Sequence, residues 1–75
     1  MGKDLFENEQ KQTMTREQAA ARLRELADQL ADQNEVRVEH GGRDVVVSVA
    51  DQVELEVELE VEQGGQSELE ITLSW

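Results

Sequence analysis

The longest regular pattern in the chain runs from Val53 to Glu62, where Val-Glu-Leu-Glu-Val-Glu-Leu-Glu-Val-Glu alternates without a break. A period of two belongs to a β-strand with one apolar and one wet face. It sets Val53, Leu55, Val57, Leu59 and Val61 against Glu54, Glu56, Glu58, Glu60 and Glu62. After Gln63-Gly64-Gly65-Gln66, the stretch Ser67 to Trp75 places Leu69, Ile71, Leu73 and Trp75 on one side. A two-residue loop at Gly64-Gly65 would oppose Val61 to Glu68 and mix the faces. A three-residue loop over Gly64-Gly65-Gln66 pairs Val61 with Leu69, Leu59 with Ile71, Val57 with Leu73 and Leu55 with Trp75. The pattern therefore predicts that loop, or a two-residue turn corrected by a bulge.

Upstream, Val36 to His40 and Arg43 to Ala50 flank Gly41-Gly42, a two-residue hairpin signal. Closing the chain there pairs His40 with Arg43, Val38 with Val45 and Val36 with Val47, so these valines share a face. Val46 and Ser48 point the other way.

Thr15 to Gln33 has the three- and four-residue spacing of a helix: Ala19, Ala20, Leu23, Leu26, Ala27, Leu30 and Ala31 form one stripe. Thr15 and Gln18 make a capping box, Met14 begins a hydrophobic staple, and Asn34 suits a left-handed residue after the last turn. Asp28 and Asp32 sit at the end where the helix dipole prefers cations. Lys3 to Lys11, with Leu5 and Phe6, is a weakly patterned short edge strand, and residues 1–4 are expected to be flexible.

These elements predict one α+β domain over residues 1–75 in the order β-α-β-β-β-β. The economical arrangement packs one helix on one face of a four- to five-stranded, mainly antiparallel sheet. One helix does not cover so wide a sheet, and an uncovered remainder would be an interface.

Composition narrows the chemistry. A chain of 75 residues rarely builds a core worth more than about 3–5 kcal/mol, and small domains add disulfides, metals or oligomerisation. There is no cysteine, and His40 is the only histidine, so disulfides are excluded and zinc is disfavoured. Oligomerisation, or a medium that strengthens apolar burial, remains. No segment has the roughly 20 apolar residues of a membrane span. Met1 to Glu7 lacks a signal-peptide apolar region, and Phe6 stands where myristoylation needs Ser or Thr. The expected location is the cytoplasm.

Eighteen Asp and Glu against seven Lys and Arg give a formal net charge of −11. Phosphate backbones are repelled, which argues against direct nucleic-acid binding. Lysine is scarce, with Lys3 and Lys11 alone beside the arginines, and glutamate fills the strands. That balance fits a salt-rich cytoplasm, where the Debye length falls to about 3 Å at 1 M and self-repulsion fades.

The chain resembles the Amphi-Trp domain family. The resemblance rests on Leu5-Phe6-Glu7, on Arg16-Glu17-x-Ala19-Ala20-x-x-Leu23-x-x-Leu26-Ala27-x-x-Leu30, on the Gly41-Gly42 hairpin and on the acidic amphipathic strand. It also includes Glu68-Leu69-Glu70-Ile71-Thr72-Leu73-Ser74-Trp75, so it spans Leu5 to Trp75. It implies a small, often stand-alone protein common in salt-loving archaea, with no established activity and no defined catalytic residues.

The candidate partner-binding residues are Glu54, Glu56, Glu58, Glu60, Glu62 and Trp75. The glutamates read first as a solvated face with weakly associated monovalent cations, and second as a docking face for a basic partner. Neighbours along it lie about 6.5–7 Å apart, and one flat face cannot wrap a calcium ion in the six to eight oxygens it needs. Acid–base catalysis lacks a pocket, and no cofactor or catalytic motif is present, so no enzyme activity and no cofactor are expected. Trp75 either caps the core or anchors a partner. His40 reads as a surface residue beside the turn; Arg37 and Arg43 have Glu39 and Asp44 nearby as ion-pair partners. The functional expectation is a non-enzymatic protein-interaction or self-association module adapted to high salt. The alternative is an acidic decoy that mimics nucleic acid and binds a basic protein.

Overall fold

The computed structural model describes residues 6–75. The helix α1 spans Arg16–Gln33. Its start is the expected capping box: the Thr15 hydroxyl accepts from the Gln18 N–H at 3.1 Å, and Gln18 Oε1 accepts from the Thr15 N–H at 3.0 Å. Asn34 ends it in the left-handed region at φ 55°, ψ 33°, and no basic residue lies in the last turn. The dipole there is left uncompensated beside Asp28 and Asp32.

Strands β1 (Glu35–His40) and β2 (Arg43–Ser48) form the first hairpin. Gly41 and Gly42 have φ of 61° and 79°, the paired positive values that a tight two-residue hairpin turn requires. The register is the one that the valines predict: Val36 opposite Val47, Val38 opposite Val45, His40 opposite Arg43. The Asn34 carbonyl extends this pairing by accepting from the Val49 N–H at 2.9 Å.

The outer edge of β1 is covered by side chains. Gln29 Oε1 on α1 accepts from the Arg37 N–H at 3.0 Å. Asn8 Nδ2 and Gln10 Nε2 each donate to the Glu39 carbonyl at 3.4 Å. Side chains on these backbone groups blunt the edge as a template for a further strand. Residues 6–15 carry no regular secondary structure, so the expected edge strand over Lys3–Lys11 does not form in its described part. The run Asn8 to Gln12 is wholly polar, and its amide side chains reach the edge where a backbone ladder would. The rest of that expectation, and the flexible residues 1–4, lie outside the described residues. Phe6 meets the His40 ring edge-on, with centroids 5.0 Å apart.

Strands β3 (Glu54–Val61) and β4 (Ser67–Ser74) form the second hairpin. Its loop has three residues as expected, but they are Gln63, Gly64 and Gly65, one position earlier than the sequence suggested. Gly64 takes φ 70°, the Gly65 N–H donates to the Glu62 carbonyl at 3.2 Å, and Glu62 pairs with Gln66. Every pairing consequently slides by two residues. Leu55 faces Leu73, Val57 faces Ile71, Leu59 faces Leu69 and Val61 faces Ser67. An even slip keeps apolar opposite apolar, so alternation alone could not have detected it.

The two hairpins are separate two-stranded sheets. This differs from the single sheet expected of the chain, and all four strands are edge strands. The two hairpins are linked at Ser48, the last residue of β2, whose carbonyl accepts from Trp75 Nε1 at 3.0 Å. Among the strands, α1 approaches β1 alone.

The resulting molecule has little interior. No residue among those described is buried, and most of the larger half-covered apolar residues lie on α1 and the first hairpin, among them Leu26, Leu30, Val36, Val38 and Val45. The accessible surface is 7213 Å² for 8.5 kDa, against roughly 4,700 Å² for a compact chain of that mass. The radius of gyration is 14.6 Å, where a compact 75-residue domain has about 11 Å.

Candidate interaction surface

The surface excess concentrates on the second hairpin. Its alternation is as regular in space as in sequence, and neither face is covered: every residue of β3 is exposed, and of β4 only Leu73 is half-covered. Leu59 and Val61 are each 69% exposed, the highest values among the large apolar residues. Leu55, Val57, Leu69 and Ile71 share their face and are also exposed. Scattered apolar residues on a surface are ordinary, whereas a contiguous strip over two strands marks a contact site.

The opposite face is acidic. Glu54, Glu56, Glu58 and Glu60 lie on β3, while Glu62 lies in the turn beyond the strand. The two-residue slip moves the cross-strand neighbours. Glu60 faces Glu68 and Glu58 faces Glu70. Glu54 and Glu56 face Ser74 and Thr72. Like charges therefore crowd the turn end of the hairpin, and hydroxyls relieve the other end. Directly opposed like charges destabilise a ladder. Glu70→Lys turns one repulsion into an ion pair, with an expected gain of about 0.5–1 kcal/mol in low salt that disappears near 1 M. Urea denaturation at the two salt concentrations measures it.

Among the described residues, no three His, Cys, Asp or Glu side chains converge on a point that would hold a metal ion. Glu60, Glu62, Gln66 and Glu68 line only a shallow hollow at the hairpin tip. A second hollow lies between the end of α1 and both hairpins, walled by Leu30, Val49, Val53 and Leu73 with Asp51 at its rim. Neither brings together a nucleophile and a base.

Trp75 lies just beyond β4, two positions from the register that would have faced it to Leu55. It is 52% exposed, and its indole joins the second hairpin to the first through Ser48. Sequence reasoning found Trp75 but missed Ser48, because a backbone carbonyl leaves no signature in residue identity. It also missed Gln29, Asn8 and Gln10, whose amides meet backbone groups distant in sequence. His40 does lie at the turn, but Phe6 and the Asn8 amide, 3.1 Å from its Nδ1, pack against it. Arg37 turns to Glu35 at 3.6 Å rather than to Glu39.

The class of protein is thus a small α+β domain, one helix followed by two antiparallel hairpins, the second apolar on one face and acidic on the other. The chain belongs to the Amphi-Trp domain family, whose profile matches residues 1–75. No curated protein and no solved structure matches it. The family description names a domain and no reaction. No helix among the described residues is long and apolar enough to cross a membrane.

Proposed function

We propose that the protein is a non-enzymatic interaction module, working by self-association or protein capture through the apolar face of β3 and β4 in a salt-rich cytoplasm. The observation that carries this reading is the uncovered strip from Leu55 to Val61 with Leu69 and Ile71, in a molecule whose described residues include no buried one. A small chain that leaves its most apolar strands in water gains most by covering them with another chain. The glutamate face keeps the covered form hydrated, with monovalent cations as its diffuse counterions. The single mainly antiparallel sheet of four or five strands, with α1 on one face, belongs to the covered form in this reading. A pull-down at native salt, run beside light scattering, tests the proposal. A strictly monomeric protein that retains no partner would remove it.

The acidic decoy is the second reading, favoured by the opposed pairs Glu58–Glu70 and Glu60–Glu68, which give the face two parallel rows of carboxylates. Binding of a basic protein would then have to survive about 0.5 M salt, because mere counterion-dependent attraction is lost by that point.

A further inference from the structure

We infer that the occupant of the β3–β4 apolar face is the same face of a second copy of this chain, the two hairpins packing across a two-fold axis. The inference rests on the interaction-module reading and names its partner.

Area is the first argument. Leu55, Val57, Leu59, Val61, Leu69 and Ile71 expose 48–69% of their surface. That is roughly 600 Å² of residue surface, and with the residues flanking the strip it approaches the about 800 Å² that each partner gives to a standard specific interface. The strip is also the right shape for itself. It carries Leu, Val and Ile with no charge among them, and an eight-residue strand is about 27 Å long. Two such faces stack about 10 Å apart, the depth of two interdigitated layers of these side chains.

Charge supplies the second argument. A basic partner would be drawn to the carboxylates on the opposite side of the hairpin, so electrostatics nominates no foreign occupant for the apolar face. Face-to-face pairing puts both glutamate rows outward, as far apart as the hairpins allow. A two-fold interface uses the same patch on both copies and closes at two, leaving no sticky remainder. Each copy carries −11, so the pair repels at long range and forms only where salt screens that charge.

The test is the mass of the full chain by sedimentation equilibrium in about 2 M potassium chloride, where the Debye length is under 3 Å. Twice the 8.5 kDa of the chain is expected. Leu59→Lys is expected to return the mass to that of one chain with the helical circular dichroism intact. Lysine lowers the net negative charge, so a loss of pairing reports the apolar face and not repulsion. Glu58→Lys, on the other face, should leave the doubled mass unchanged. Should Leu59→Lys lose its helix, Leu59→Gln carries the same test, with an expected weakening of the dissociation constant by at least tenfold. A doubled mass unaffected by Leu59→Lys, or a mass that climbs beyond two copies, overturns the inference. A monomer that retains a different protein in the native-salt pull-down overturns it while leaving the interaction-module reading in place. A monomer that retains nothing removes both.

Discussion

Transfer from molar salt into buffer of about 10 mM ionic strength, where the Debye length is about 30 Å, is expected to unfold the protein. At that range each carboxylate feels most of the others across a molecule measuring 40 × 29 × 25 Å. Treated as a charged sphere that expands on unfolding, a chain of net charge −11 relieves on the order of 4 kcal/mol of repulsion at 10 mM salt and about 1 kcal/mol at 1 M. A core of this size rarely contributes more than about 3–5 kcal/mol, so the difference is enough to tip the balance. The three ion pairs among the described residues offer no rescue. Arg16–Glu17, Arg22–Glu25 and Arg37–Glu35 are exposed or half-exposed, and surface pairs of that kind are worth about 0–1 kcal/mol. Far-UV circular dichroism across a potassium chloride titration should show a cooperative loss of helix as salt is withdrawn. Full stability near zero salt would contradict the view that chain-wide acidity sets the working medium.

Trp75→Ala should cost about 2–4 kcal/mol at 1 M salt, the largest effect expected of any single side chain. The indole is about half covered, which removes roughly 120 Å² from water and corresponds to about 3 kcal/mol. Its hydrogen bond to the Ser48 carbonyl adds about 1 kcal/mol. The substitution also removes the one hydrogen bond between side chain and backbone that joins the second hairpin to the first among the described residues. Trp75→Phe separates the two contributions: it retains most of the area, loses the donor, and should cost about 1 kcal/mol. Urea midpoints for both variants, with hydrogen exchange on the β4 amides, provide the measurement. Neutral behaviour of both substitutions would show that the indole does not join the hairpins.

Local chemistry was legible in the sequence and long-range geometry was not. The Thr15–Gln18 box, the Gly41-Gly42 turn and the valine register of the first hairpin depend on residues a few positions apart, and each is found where its side chains predict. The second hairpin shows where that reasoning stops. Alternation is unchanged by a slip of two, so it fixed which residues share a face but not which residue faces which. The turn made by Gly64 and the Gly65 N–H decides the register. The candidate site was likewise readable as two faces, while its details were not. Glu62 belongs to the turn, Glu58 and Glu60 are the members with acidic neighbours, and Trp75 answers to Ser48 rather than Leu55. The link between the hairpins was beyond reach, because it is a side-chain-to-carbonyl contact spanning 27 positions.

The glutamate row from Glu54 to Glu62 draws the eye first, but the apolar strip behind it is the surface that needs a partner. Small-angle X-ray scattering at native salt over a concentration series tests that claim most directly. An open chain at high dilution, with a radius of gyration near 14.6 Å, and a rise in scattering mass as concentration increases are the expected results. A compact monomer of about 11 Å at every concentration would mean that the hairpin closes on its own helix and that the strip needs no partner.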